Sequence, residues 1–444
     1  MKIIVAGTPV IGHLAPLMSI ARMLIAHGHE VVGYTASAWR EKFVSLGAGF
    51  VPFPSAIDRH LENLHETHPE RLRLAPGPEQ LLYDFKTFFI DPAPEQHRGL
   101  RDLLTSFPAD LIIADVALFA TLVMLLDRKA DRPAIIHVGI TALVAPRDDE
   151  APFGPALPPA TKAEELLAYR QVANEVNSAL YAPANAHLNT KLAELGIARL
   201  EQPIFEAAVA LPEAYLQLTV PSFEYPRRSM PSSVRFVGGL PLPQSNWPLP
   251  SWARDLDGSR KHVLVTQGTV ANDDLGRLVG PVLSALGDRD DLLVIVTTGG
   301  RPLEAVPGPI PPNARMAEFI DYNWLMPRLD AMVTNGGYGT VNHALRHGLA
   351  LVVAGKTEDK AEVAARVAWS GAGINLDTEQ PTAAAVREAV DAVLGESQYR
   401  KRARSLASEF ARYDTESEIL RVVAEATGNQ ELRRRQEAME GRYS

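Results

Sequence analysis

The feature that most constrains this chain is an alternation that occurs twice. Short apolar runs of strand length are followed by stretches with helical spacing. In the first half, "KIIVAG", "HEVVGYTA", "GFVPFPS", "DLIIADV" and "AIIHVG" read as strands. After the first of them, Leu14, Leu17, Met18, Ala21, Leu24 and Ile25 recur at the period of a helix. In the second half, "HVLVTQG", "LLVIVTTGG", "AMVTNGG", "ALVVAG" and "GAGINL" repeat the plan. Strands alternating with helices argue for α/β architecture, with parallel sheets covered on both faces. Two such halves facing each other enclose a cleft, and ligands in open α/β sheets sit beyond the carboxyl ends of the strands.

Between the halves lies "VRFVGGLPLPQSNWPLPSW", residues 234–252. Its Pro and Gly residues and lack of helical period read as a linker. The expected division is 1–240, a linker at 241–252, and 253–404. Beyond it, Ala403, Leu406, Ala407 and Phe410, then Ile419, Val422, Val423 and Ala426, form helical stripes. A C-terminal helix around 405–428, with Gly428 as its stop, is expected to pack back on the first half, and the residues after it to fray. The segments Ala56–Pro94 and Ala145–Thr190 fit the strand–helix rhythm badly. Such insertions often shape binding surfaces on a rigid scaffold.

Composition removes several functional classes. A chain of 444 residues suggests two or three domains at about 100–200 residues each. The net charge of −9 disfavours a nucleic-acid partner, which needs a basic surface. The cluster Arg433–Arg435 sits in a charged tail and reads as solvated. With no cysteine, disulfides, thiolate nucleophiles and Cys-ligated metal sites are excluded. No apolar stretch reaches membrane-spanning length, and the opening run is broken by Gly7 and Pro9, unlike a signal peptide. The expectation is a soluble cytoplasmic protein.

The chemistry should lie where strands end. "GTPVIGH", Gly7–His13, has the glycine spacing of a phosphate-binding P-loop but continues with His13 and Leu14 where that loop needs Lys and Ser or Thr. These glycines are expected to serve a tight turn. The start of a helix carries partial positive charge, which favours a neutral imidazole able to accept a proton. Asp115 ends "DLIIAD" in the same half and could orient His13. A surface His and a turn Asp are the plain alternative. "TNGGYGT", Thr334–Thr340, joins a strand to a helix. Gly336, Gly337 and Gly339 would let backbone N–H groups approach a diphosphate, with Thr340 adding a hydroxyl. A simple tight turn is the alternative. "TQGT", Thr266–Thr269, offers a second such loop, and "TEDK", Thr357–Lys360, could bind sugar hydroxyls or be an exposed ion pair. The triplets Asp255–Asp257 and Asp288–Asp290 read as turn residues, so no essential metal site is expected.

Together these residues resemble the family 1 glycosyltransferases of the GT-B fold, which include bacterial macrolide and phenol glycosyltransferases and the UDP-glycosyltransferases. The likeness is best from Val263 to Leu376. It is fainter in "GTPVIGHLAPLMSIARMLIAHGHEV", "DLIIAD" and "VRFVGG". The resemblance implies two facing Rossmann-like domains with a cleft between them. It makes His13 the base and Asp115 its support. It places Gly268 and Thr269 near the diphosphate, with Phe319 and Ile320 at the nucleotide base. It assigns Asn335, Gly336, Gly337, Gly339 and Thr340 to the diphosphate turn, and Asp359 and Lys360 to the sugar. Three positions depart from the pattern: Asn335 stands for the usual His, His343 for the usual ribose-binding Glu, and Lys360 for the usual Gln.

The expected reaction is a metal-independent inverting transfer. It needs no cofactor beyond a nucleotide sugar as co-substrate, with UDP-glucose the first choice and a dTDP-sugar possible. The acceptor would be the hydroxyl of a small hydrophobic molecule such as a phenol, flavonoid or macrolide. Two rivals stay open: a GT-B nucleotide-sugar epimerase, and a non-catalytic nucleotide-sugar-binding partner. Oligomeric state cannot be read from these residues.

Overall fold

The computed structural model describes residues 1–59, 61, 67–75, 77–242, 247–269 and 271–440, the side chains of 72 and 429–440 excepted. Its strands are β1 (Lys2–Ala6), β2 (Glu30–Thr35), β3 (Gly49–Pro52), β4 (Leu111–Asp115), β5 (Ala134–Gly139), β6 (Ala214–Gln217) and β7 (Val234–Phe236) in one sheet. A second sheet holds β8 (Lys261–Thr266), β9 (Leu292–Thr297), β10 (Ala314–Ala317), β11 (Ala331–Thr334), β12 (Ala350–Val353) and β13 (Gly373–Asn375). Five helices matter below: α1 (Ile11–Ala26), α2 (Tyr338–Arg346), α3 (Lys360–Ser370), α4 (Ser397–Phe410) and α5 (Thr415–Glu440).

The first sheet runs β3-β2-β1-β4-β5-β6-β7 and the second β10-β9-β8-β11-β12-β13. Neighbouring strands are parallel throughout. Counted from its own first strand, each sheet starts in the middle and winds outward both ways. The order reverses between β1 and β4 and between β8 and β11. At such a point the connecting loops diverge and open a crevice. The strands that flank these crevices are apolar and buried, as in Ile3–Ala6, Leu111–Ala114, Val263–Val265 and Ala331–Val333, all fully inside.

Several elements differ from the sequence reading. Residues 234–236 are not linker: "VRF" is the edge strand β7, held by its ladder to β6 with Tyr215 opposite Val234 and Gln217 opposite Phe236. β6 and β10 escape notice because AYLQ and ARMA hold no continuous aliphatic run. Residues 145–190 contain long helical stretches, Ala163–Val176 and the start of Ala182–Glu194, bridged by a π-turn. Helical structure also fills 78–90. The remainder of the Ala56–Pro94 segment falls partly outside the described residues. Gly428 does not stop a helix, since α5 continues through it to Glu440. A glycine costs a helix about 1 kcal/mol relative to alanine, too little by itself to end one. Helix α5 lies against β5 and β6 of the first sheet. Its Ile419, Val422 and Val423 join a core cluster that also contains Phe410 of α4 and Leu345 of α2.

Candidate active site

In the first crevice, α1 opens directly after the β1 loop, so His13 stands in its first turn. Asp115, the last residue of β4, is fully buried and reaches across, with Oδ1 3.0 Å from His13 Nδ1. Its other partners are backbone donors: Thr8 N–H to Oδ2 at 2.6 Å and Ala117 N–H to Oδ1 at 2.9 Å. Thr8 Oγ1 adds a longer bond of 3.3 Å. Burial pushes the carboxyl toward its neutral form, but His13 and these donors outweigh it, and Asp115 ionises below its ordinary value. Holding Nδ1 in this way leaves Nε2 as the ring atom available for chemistry. Thr8 lies inside "GTPVIGH" and is the support that sequence reasoning missed. The glycines there do not serve a turn requiring positive φ. A Cβ on Gly7 would lie 2.5 Å from Leu14 Cδ2, so Gly7 permits close packing on α1, while Gly12 has open space around it.

Aromatic rings line the approach to this pair. Phe89 stacks beside His13, ring centroids 6.3 Å apart and tilted by 23°. Phe119 lies 6.4 Å from Phe89, and Phe205 lies 4.9 Å from Phe85 and 6.1 Å from Phe119. Tyr181 completes the wall 5.5 Å from Phe205. Both irregular segments of the sequence therefore contribute, Phe85 and Phe89 from one and Tyr181 from the other. The spacing of Phe85 and Phe89 by four residues was the available signal.

The second crevice is built from backbone. Gly336 has φ +88°, and a Cβ there would meet Val353 Cγ1 at 2.8 Å, so only glycine fits. Gly337 precedes α2, whose first bond is Val341 N–H to Gly337 C=O at 3.0 Å. The N–H groups of the opening turn, at Gly339 and Thr340, then have no partner within the helix. Gly339 is exposed and Thr340 half-buried. Asn335 is buried and donates from Nδ2 to Gln267 C=O at 2.6 Å. It ties the β11 loop to the β8 loop, a role not foreseen for it. Gly268 has φ +71°, and Thr269 beside it is exposed.

Phe319 is 43% exposed and stacks on Trp247 at 5.3 Å and 17°. Trp247, in the linker, was not singled out from the sequence. Ile320 is half-buried against the core. Burial, with Arg346 and His347 close by, pushes His343 down to about 4, so its imidazole is neutral near pH 7. Burial raises the Asp359 carboxyl above its ordinary value. Lys360 is buried and pairs with Glu358. One carboxylate of each acidic triplet pairs with an arginine, Asp255 with Arg315 and Asp288 with Arg387.

The two crevices face each other. Gln217 Nε2, at the end of β6, donates to the Tyr338 hydroxyl of α2 at 2.5 Å. Thr219 Oγ1 donates to Asn342 Oδ1 at 2.5 Å. Asp359 of the second half lies against Thr141 in the loop after β5. An imidazole–carboxylate pair beside an aromatic wall and a glycine turn at a helix N-terminus thus lie in the two halves joined by these contacts.

Comparison with known proteins agrees. Residues 281–426 match the family model described as erythromycin biosynthesis protein CIII-like, C-terminal domain. The chain is 39% identical over 415 residues to 4'-demethylrebeccamycin synthase of Lentzea aerocolonigenes, covering 93% of this chain and 96% of that one. It is 36% identical over 426 residues to UDP-glycosyltransferase 2 of Phaeomoniella chlamydospora, covering 93% and 92%. The crystal structure of CalG4, the calicheamicin glycosyltransferase, superimposes with TM-score 0.71 at 20% identity, covering 96% of this chain and 98% of that one. The chain belongs to this family: it is a natural-product-type glycosyltransferase of the GT-B fold, an enzyme that transfers a sugar from a nucleotide sugar.

Proposed function

We propose that the enzyme catalyses a metal-independent, inverting transfer to a hydroxyl of a small, hydrophobic, aromatic acceptor. The observation that carries this reading is the His13–Asp115 pair beneath the aromatic wall. His13 Nε2 takes the acceptor's hydroxyl proton as the oxygen attacks the anomeric carbon from the face opposite the leaving group. Asp115, ionised and buried, stabilises the imidazolium that forms. The departing nucleoside diphosphate gains charge, which the N–H groups of Gly336 through Thr340, together with Thr269, receive. Asp359 and Lys360 hold the sugar, Phe319 and Ile320 the base, and His343 faces the ribose as an uncharged donor or acceptor.

The reading without a metal rests on the acidic triplets serving as turn and ion-pair residues, Asp255 with Arg315 and Asp288 with Arg387. UDP-glucose is the first choice of donor, its UDP part in keeping with the name of the second relative, and dTDP-sugars are the alternative. No cofactor beyond the nucleotide sugar is proposed. Donor and acceptor are its small-molecule partners. Among the described residues no helix is long and apolar enough to cross a membrane.

The test is His13→Ala assayed with UDP- and dTDP-sugars against phenolic acceptors. Transfer should fall by about 10²–10⁴-fold while UDP binding is kept. Near-normal turnover removes His13 from the mechanism. Incubation with donor alone separates transfer from epimerisation.

A further inference from the structure

Between β5 and the helix at Ala163–Val176, the chain of the first half crosses to the second half and is gripped there. Glu362, in the first turn of α3, is 3% exposed. Its Oε1 accepts Gly154 N–H at 2.7 Å and Ala156 N–H at 2.9 Å. Both residues have left-handed backbones, φ +114° and +59°. That conformation turns two nearby N–H groups toward one acceptor atom. Glu362 Oε2 is held by Arg366 at 2.7 Å, and Arg366 Nε reaches Glu224 Oε2 at 2.8 Å. Glu224 Oε1 in turn accepts Leu143 N–H at 2.8 Å, the start of the same crossing segment. The Tyr225 ring lies between Arg366 and Arg147, 4.2 and 4.6 Å from its centroid. Arg147 closes the segment on itself through Leu157 C=O at 2.5 Å and Pro158 C=O at 3.0 Å.

On its other side this segment touches the aromatic wall. Tyr181 Oη donates to Phe153 C=O at 2.7 Å, the residue next to Gly154, while the Tyr181 ring packs on Phe205. A continuous line of contacts therefore runs from α3 through Glu362, Gly154, Phe153 and Tyr181 to the rings beside His13. Helix α3 begins with Lys360, directly after Asp359, so it carries the sugar-facing residues of the proposed function.

We propose that Glu362 is a positioning residue: from the donor-side helix it sets the Phe153–Ala156 segment, and through Tyr181 the wall that receives the acceptor. This rests on the assignment of the aromatic wall to the acceptor. Both Glu362 oxygens are taken up by Gly154, Ala156 and Arg366, so it acts through the segment and not on a substrate. Its negative charge is what the site requires, because one oxygen serves two N–H donors while the other meets a buried guanidinium.

The test uses Glu362→Gln and Tyr181→Phe in the full-length enzyme, with UDP-glucose and a flavonol as acceptor probe. E362Q should raise the flavonol KM about 10-fold and leave the UDP Kd within about 3-fold. Y181F keeps the ring but loses the bond to Phe153, and should raise the flavonol KM less. The double variant should fall short of the product of the two effects, because both act through one segment. Amide exchange over 150–158 should quicken in E362Q without any substrate present. A lowered Tm with unchanged flavonol KM overturns the proposal, as do a UDP Kd that rises in step with that KM, multiplicative effects in the double variant, or unaltered exchange. If E362Q does not fold, an unchanged KM in Y181F overturns it. A wild-type enzyme that transfers to no flavonol or other phenol counts against the proposed function instead, and the exchange measurement still decides this proposal.

Discussion

His13 owes its assigned role to Asp115, and Asp115 owes its charge to Thr8, Ala117 and His13 itself. Asp115→Asn keeps the shape but removes the charge that orients the ring. Transfer should fall about 10²–10⁴-fold with UDP affinity kept, measured as kcat beside calorimetric binding. Asp115 also links stability to pH. Its folded-state value lies below the unfolded one, so its contribution is present above the unfolded value near 3.8 and is lost as pH falls through the folded value. In the second crevice Gly336→Ala places a methyl 2.8 Å from Val353 Cγ1 on a backbone at φ +88°. Strain at such a position is worth about 1–3 kcal/mol. The expected outcome is a lower denaturation midpoint together with weaker UDP binding; unaltered UDP binding would show that the turn does not hold the diphosphate. The glycines and His13 were legible in the sequence, because they directly follow apolar runs of strand length. The bond from Asn335 to Gln267 was not, because it joins loops that are far apart in sequence.

Elements carry their own consequences. On β5, His137 is fully buried between Ala208 C=O at 2.7 Å and Thr121 Oγ1 at 2.9 Å. Burial pushes it down to about 4 from an unfolded value of 6.5. In the window between those values the unfolded chain binds the extra proton. Stability from this residue is therefore complete above pH 6.5 and is lost as pH falls toward 4. The loss is about 3 kcal/mol by the lower limit. Urea denaturation from pH 7 to 4 should show that slope, and His137→Gln should flatten it. The opening turn of α2 predicts a second outcome. UDP or dTDP at about 100 times its Kd should stabilise the fold by about 2.7 kcal/mol, read as a rise in Tm. Strands that are continuous apolar runs, such as β1, β4, β8 and β9, could be read from sequence alone. The edge strand β7 could not, since three residues including an Arg form a strand only because β6 offers them a ladder.

At the scale of the molecule, Glu224 and Arg366 meet across the two halves with side chains 1% exposed. Removing one member of a buried pair leaves the other charged and without water. Arg366→Met should destabilise the protein by about 3–5 kcal/mol in urea unfolding, and combining it with Glu224→Gln should restore part of the loss. A double variant whose loss equals the sum of the two single losses would show that the pair contributes nothing across the cleft. The spacing of Glu362 and Arg366 by four residues is visible in the sequence as a helix pair. Nothing local shows that both turn inward to meet Glu224, Gly154 and Ala156.

The sequence by itself determined the two α/β halves, the strand ends where chemistry gathers, and the residues set there: His13, Asp115, and the turn from Asn335 to Thr340. Those features are local, set by apolar runs of strand length, by helical period, and by glycines where a helix opens. Tertiary structure alone decided which distant residues meet. It joined His13 to Asp115 across the point where the sheet order reverses, gathered rings from two irregular segments beside that pair, and tied the segment next to the aromatic wall to α3 through Glu362. The physical reason is that burial and hydrogen bonding select these partners only after the chain is closed. Before closure a glutamate four residues from an arginine reads as nothing more than a solvated pair on a helix.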